Sequence, residues 1–147
     1  MPAFKSTITE TFTGDTGTIN STNTITIDNV LDVTKYVVGV KNGVVTTLAT
    51  FAAGTHTSAG AHNVSNVKYV RITNMGSANV SIGIIGAATC NNIILGADES
   101  HIIGAVDDVY LAEADTDPSH ASHADITAIE AKSTSGVQQV EIVIAST

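Results

Sequence analysis

One cysteine, two prolines, no tryptophan and only six lysines and arginines occur in 147 residues. A single cysteine, Cys90, excludes an internal disulfide framework. At this length none is needed, because one domain of about 150 residues buries roughly 68–70% of its unfolded surface. The scarcity of Lys and Arg and the absence of basic clusters argue against nucleic-acid binding, since that affinity rests on cations neutralising phosphates. No apolar run approaches the ~20 residues that span a bilayer as a helix. The N-terminus, Met1-Pro2-Ala3-Phe4-Lys5, lacks the apolar stretch of a signal peptide. The expectation is a chain made in a cytoplasm, without nucleic-acid or membrane partners.

Leucine is also scarce. Sixteen valines and sixteen isoleucines stand against four leucines, with 21 threonines beside them. β-Branched side chains suit pleated strands and crowd a helix, so the composition is all-β. The net charge of −8 is unevenly placed. Residues 1–97 carry four acids and five bases, whereas residues 98–147 carry ten acids and Lys132 alone. In a β protein those acids belong on loops and on the solvent face of the last strands.

Residues 1–28 form a Thr-rich segment in which Ile8 and Phe12 share a face with Glu10 between them, and Ile25 and Ile27 share another. Gly14-Asp15-Thr16-Gly17 reads as a turn. So thinly apolar a segment is expected to be an edge hairpin, or an arm that adds strands to a partner. The sandwich domain proper is expected over residues 29–147. Within it, Val30–Val40 and Val44–Phe51 flank Asn42-Gly43, the signature of a type I′ hairpin turn, which needs φ > 0 at both central residues. Residues 52–66 read as a polar surface loop. Val67–Thr73 and Val80–Ile85 predict a second hairpin. Short strands follow at Ile93–Leu95, Ser100–Gly104, Val106–Ala112, Asp125–Lys132 and Gln138–Ala145. In the last of these Val140, Ile142 and Ile144 face one way, with Gln139, Glu141 and Val143 the other. Short strands with turns every 8–12 residues describe an antiparallel β-sandwich, jelly-roll-like.

Catalytic motifs are missing. No nucleophile, base and orienting group occur in a recognised pattern, and the glycines lack the spacing of a phosphate loop. His120 and His123 lie near Asp115, Asp117 and Asp125, but a loop fixes no ligand geometry, so a solvated loop is expected rather than a metal site. The same holds for His56 and His62; His101 opens a strand. Cys90 has no cation nearby in sequence to lower its pKa and is expected to be a buried or half-buried structural residue. Asp98-Glu99 and Asp107-Asp108 lack the alternating ligand spacing of a calcium loop and are expected at turns and strand ends. No cofactor and no metal are expected.

The runs Tyr69-Val70-Arg71-Ile72-Thr73-Asn74, Val80-Ser81-Ile82-Gly83-Ile84 and Leu95-Gly96-Ala97-Asp98-Glu99-Ser100, a strand ending at Gly104, and the ending Val140-Glu141-Ile142-Val143-Ile144-Ala145-Ser146-Thr147 resemble small β-sandwich virion proteins of tailed bacteriophages. The resemblance spans roughly residues 67–147 and consists of strand and turn patterns. It implies a non-enzymatic capsid decoration or cement protein, located in the virion and binding both the major capsid protein and further copies of itself. Phe4, Ile8 and Phe12 are the expected contact residues, because an arm with little core of its own gains most by burying its few large apolar groups on a partner. The alternative is a tail, fibre or baseplate sandwich that binds a host receptor or glycan. Six aromatic residues, none of them Trp, offer little for stacking on sugars.

Overall fold

The computed structural model describes residues 1–54, 60–87, 89–109 and 123–147. Eleven strands occur among them: β1 (Ala3–Gly14), β2 (Gly17–Asp28), β3 (Asp32–Lys41), β4 (Thr46–Ala52), β5 (His62–Asn63), β6 (Val67–Asn74), β7 (Val80–Ile85), β8 (Cys90–Leu95), β9 (Ser100–Ile103), β10 (Ala128–Ser133) and β11 (Val137–Ser146). A 3₁₀ turn, Val64–Asn66, precedes β6.

Two sheets make the body, one of order β3-β11-β6-β9 and one of order β5-β4-β10-β7-β8. Their inner faces meet in one core, to which β11 gives Val140, Ile142 and Ile144, β6 gives Val70 and Ile72, β7 gives Val80 and Ile82, and β10 gives Ile129. The protein is therefore an all-β sandwich, as the composition requires. Pairing is antiparallel except for the two-residue β4–β5 contact, which is parallel. The strand order alone does not establish jelly-roll connectivity.

Both hairpins expected within the sandwich are absent. β3 and β4 lie in different sheets, and so do β6 and β7. Among the described residues, the one hairpin within the body is β7–β8. At Asn42-Gly43 just Gly43 has positive φ, +74°, so the type I′ turn does not form. Instead Asn42 N–H donates to the Gly136 carbonyl at 2.7 Å and Gly43 N–H to that of Ser133 at 3.4 Å, which ties this turn to the one between β10 and β11. The reason is burial: a strand with one strongly apolar face gains most when that face meets another sheet, and crossing to the opposite layer at these turns achieves this. Tyr36 of β3 shows the consequence, since its hydroxyl donates to the Leu48 carbonyl of β4 across the core.

The crossing turns gather at one end of the sandwich around Asn74, which is fully buried. Its side-chain amide donates to the carbonyls of Ala78 (2.8 Å), Leu95 (3.1 Å) and Gly96 (2.9 Å), while its Oδ1 accepts from Gly76 N–H at 3.0 Å. Gln138 completes the plug by accepting from Ala78 N–H and donating to the Ser135 carbonyl. Gly76 is confined here, because a Cβ on it would lie 2.1 Å from Gln138 Oε1.

The opposite end is less regular. The 52–66 loop is only partly a surface loop: Val64 is buried and β5 places His62 beside Phe51, with ring centroids 6.1 Å apart. Residues 106–109 form no strand, although Val106 is fully buried, and residues 110–112 of the expected strand lie outside the described residues. Asn74→Ala leaves the buried Leu95 carbonyl, the half-buried Ala78 and Gly96 carbonyls and the Gly76 N–H without this partner, and is expected to cost about 2–4 kcal/mol in urea unfolding. Thr73→Ala, at the half-exposed neighbouring position, serves as the control, with a change of about 0.5 kcal/mol or less.

Candidate interaction surface

The N-terminal segment folds as a two-stranded antiparallel hairpin, with register running from Ala3↔Asp28 to Gly14↔Gly17. Each strand has twelve residues, so the ribbon is roughly 40 Å long at about 3.4 Å per residue. Directly paired residues share a face. One face holds Thr7, Thr9, Thr11, Thr13, Thr18, Thr22, Thr24 and Thr26, with the Thr7 and Thr24 hydroxyls 3.1 Å apart. The other holds Phe4, Ile8, Phe12, Ile19, Ile25 and Ile27. Ile25 and Ile27 thus lie on the same face as Ile8 and Phe12, whereas the sequence pattern divides the two pairs.

Only the base of the ribbon is anchored. Phe4, Ile25 and Ile27 pack against a second apolar cluster of Val30, Tyr69, Val143 and Ala145 on the outer face of the β3-β11-β6-β9 sheet. The Phe4 and Tyr69 rings lie 4.9 Å apart at 50°, and Ser6 Oγ is 2.9 Å from the Tyr69 hydroxyl. Beyond Ser6 the hairpin leaves the body. Residues 7–13 and 15–24 are exposed throughout, with Phe12 at 64% and Ile19 at 69%. Phe12 and Ile19 are direct cross-strand partners, and the Phe12 ring lies over Gly14 next to the turn. Of the three expected contact residues, Ile8 and Phe12 project into solvent, while Phe4 is half-buried as part of the anchor on the chain's own sandwich. Ile19 completes the exposed patch. Period-two patterning points to each strand, but only the register places Ile19 opposite Phe12.

The ribbon also has two long free edges, since among the described residues β1 and β2 pair with each other alone. Such edges carry unpaired N–H and C=O groups able to accept a further strand.

Next to the anchor lies an ion-pair cluster that charge distribution does not foretell. Glu141, expected on a solvent face, is 8% exposed and lies between Lys35 of β3 at 2.9 Å and Arg71 of β6. The hydrogen bond from Lys35 holds its carboxyl below the ordinary value, against the opposing effect of burial, and Arg71 adds to the shift. A carboxylate in the middle of the central strand is tolerated because both neighbouring strands carry a cation to it.

The remaining candidates are dispersed. Cys90 is exposed, correcting the expectation of a buried or half-buried thiol, because β8 is an edge strand and residue 90 lies on its outer side. It borders a hollow of about 100 Å³ with Ser81, Asn92, Glu130 and Lys132. His62 titrates below its ordinary value because it is half-buried. His123 is exposed, His101 sits on β9 opposite Ile72, and His56 and His120 lie outside the described residues. Asp107, Asp108 and Asp125 converge, with Asp108 N–H donating to Asp125 Oδ1 at 3.0 Å. Partial burial, a hydrogen bond with Asp125 and the charges of Asp125 and Asp108 raise the Asp107 pKa.

No helix among the described residues is long and apolar enough to cross a membrane. Comparison of the chain with protein-family models, curated proteins and solved structures finds no match.

Because the Glu141 pKa is lowered by folding, its stabilisation is complete above the ordinary value of 4.5 and is lost as pH falls through the lower folded value. Glu141→Gln is expected to cost about 1–2 kcal/mol near neutral pH and to flatten the acid limb of stability against pH, followed by thermal melts. Asp125→Asn removes one neighbouring charge and is expected to lower the Asp107 midpoint in an NMR carboxyl titration.

Proposed function

We propose that this protein is a non-enzymatic structural component of a tailed-phage virion, a capsid decoration or cement protein that binds the major capsid protein and further copies of itself. The observation that carries this reading is the β1–β2 hairpin. Its base is anchored on the sandwich, and about two thirds of its length stands clear with Ile8, Phe12 and Ile19 exposed. A two-stranded ribbon is marginal in water by itself, and large apolar groups on it favour contact with another molecule. The strand and turn pattern of residues 67–147 supports the phage assignment through its resemblance to small virion sandwiches. A body with one cysteine, which is free, and with crossing turns closed by buried hydrogen bonds suits a part that must persist without disulfides.

The hairpin's chemistry supports two kinds of contact in an assembled shell: strand addition along a free edge, and burial of the Ile8-Phe12-Ile19 patch on an apolar surface of a neighbouring shell protein or copy. The excess of acid in residues 98–147 complements a basic surface on the shell.

The test is co-sedimentation of purified protein with empty capsids and, separately, with tails. Saturation of capsids at a fixed copy ratio is expected. A combined Ile8→Ser, Phe12→Ser, Ile19→Ser variant, altering only exposed side chains, is expected to bind capsids about thirtyfold more weakly with an unchanged melting temperature. Unchanged capsid occupancy in that variant, or binding to tails or host cells in place of capsids, overturns the reading.

A further inference from the structure

We propose that the free half of the β1–β2 hairpin docks face to face on the outer surface of β3 in a second copy of this chain. The inference deepens the reading above, on which it rests for the expectation of self-assembly, by naming the surface and register of the contact between copies.

The first support is continuity. The hairpin's apolar face already packs on the outer face of the β3-β11-β6-β9 sheet, through Phe4, Ile25 and Ile27 at its base. That packing leaves one strip of the sheet open. On edge strand β3, Val33 and Val37 are 48% and 49% exposed, although they stand directly beside buried Ala145 and Glu141. The same molecule therefore carries an unfilled length of hairpin face and an unfilled length of the type of sheet face that this hairpin covers.

The second support is a match of pattern and charge. Ile8, Glu10 and Phe12 occupy alternate positions of β1 and so project from one face. Val33, Lys35 and Val37 occupy alternate positions of β3 and project from the outer face. Both triplets read apolar, charged, apolar at the same spacing, with opposite charges at the centre. Aligning them seats Ile8 and Phe12 on the two valines and brings Glu10 to Lys35. Because each triplet is symmetric about its charge, parallel and antiparallel alignments both satisfy it. Lys35 retains donors for this contact, since its side chain is 63% exposed even while it holds Glu141.

Net charge acts in the same direction. Residues 7–24 carry Glu10 and Asp15 without a base, whereas β3 carries Lys35 and Lys41 against Asp32. Within one chain the contact is not made, as the exposure of Phe12, Ile19, Val33 and Val37 shows. The occupant is another copy, either reciprocally about a two-fold axis or head to tail around a ring.

Light scattering of the full-length protein across a concentration series is expected to show a defined oligomer. Glu10→Lys sets like charges opposite each other and is expected to weaken self-association on the order of tenfold. The double variant Glu10→Lys, Lys35→Glu is expected to regain it. As Lys35→Glu also faces Glu141 and strains the fold there, a second measurement stands apart from it. In a Cys90→Ser background, Phe12→Cys chains are mixed with Val37→Cys chains and, separately, with Val33→Cys chains; one of the two mixtures, according to the direction of alignment, is expected to cross-link as mixed pairs on mild oxidation, in preference to pairs of like chains. A wild-type mass of one chain at every concentration, unchanged association of Glu10→Lys, or cross-linking with no preference for mixed pairs in either mixture overturns the proposal. Capsid co-sedimentation separates the two readings: a monomer that saturates capsids overturns only this contact, and an oligomer assembled through Glu10 that ignores capsids overturns only the cement assignment.

Discussion

The fold depends on one constraint: two sheets lined with β-branched side chains must press their inner faces together, and a chain of short strands must supply both. Val40, Val70, Ile72, Val80, Ile82, Ile129, Ile142 and Ile144 are all at most 1% exposed in the resulting core. Supplying both layers obliges the chain to change sheets at most of its turns. Each change brings backbone N–H and C=O groups to the end of the core, where water cannot satisfy all of them. Asn74 and Gln138 answer that need. A side-chain amide offers two donors and an acceptor on a short stem, so one buried Asn can join the β6–β7 turn to the β8–β9 turn. Gly76 follows from the same packing, since a side chain there would displace Gln138.

The outer face of the β3-β11-β6-β9 sheet obeys a different rule. An outer face is normally wet, but here Tyr69, Val143 and Ala145 are buried because the hairpin base covers them. Glu141, in the same row of β11, becomes acceptable only because Lys35 and Arg71 reach it from either side. The outer face is thus graded from an apolar dock, through an ion-pair cluster, to the half-exposed valines of β3. The hairpin shows a similar gradient, from anchored Phe4 to free Phe12. The ribbon is thus far longer than its own dock.

Much of this architecture is legible in the amino-acid sequence. The β-branched composition indicates strands, and period-two alternation locates most of them, down to the inward set Val140, Ile142 and Ile144. The Gly14–Gly17 turn and the weak apolarity of residues 1–28 mark the hairpin as distinct from the body. The partnerships are not legible. Asn42-Gly43 carries the local signal of a tight hairpin, yet the turn joins two sheets, because local φ preference is worth less than burying Tyr36, Val38 and Val40 against the opposite layer. Glu141 reads as a solvent-face acid because a sequence does not show which cations adjacent strands will bring. Cys90 reads as buried or half-buried because no cation neighbours it in sequence, whereas edge position decides its exposure.

The amino-acid sequence by itself determined the class of fold, the alternation of faces along each strand and the separateness of the N-terminal ribbon, since these follow from side-chain shape and period within a few consecutive residues. Tertiary structure alone decided which strands pair, the gathering of the crossing turns around Asn74, the burial of Glu141 between Lys35 and Arg71, and the union of Ile8, Phe12 and Ile19 on one exposed face. Those features depend on register and on contacts between residues more than a hundred positions apart, as with Lys35 and Glu141, which no local pattern encodes.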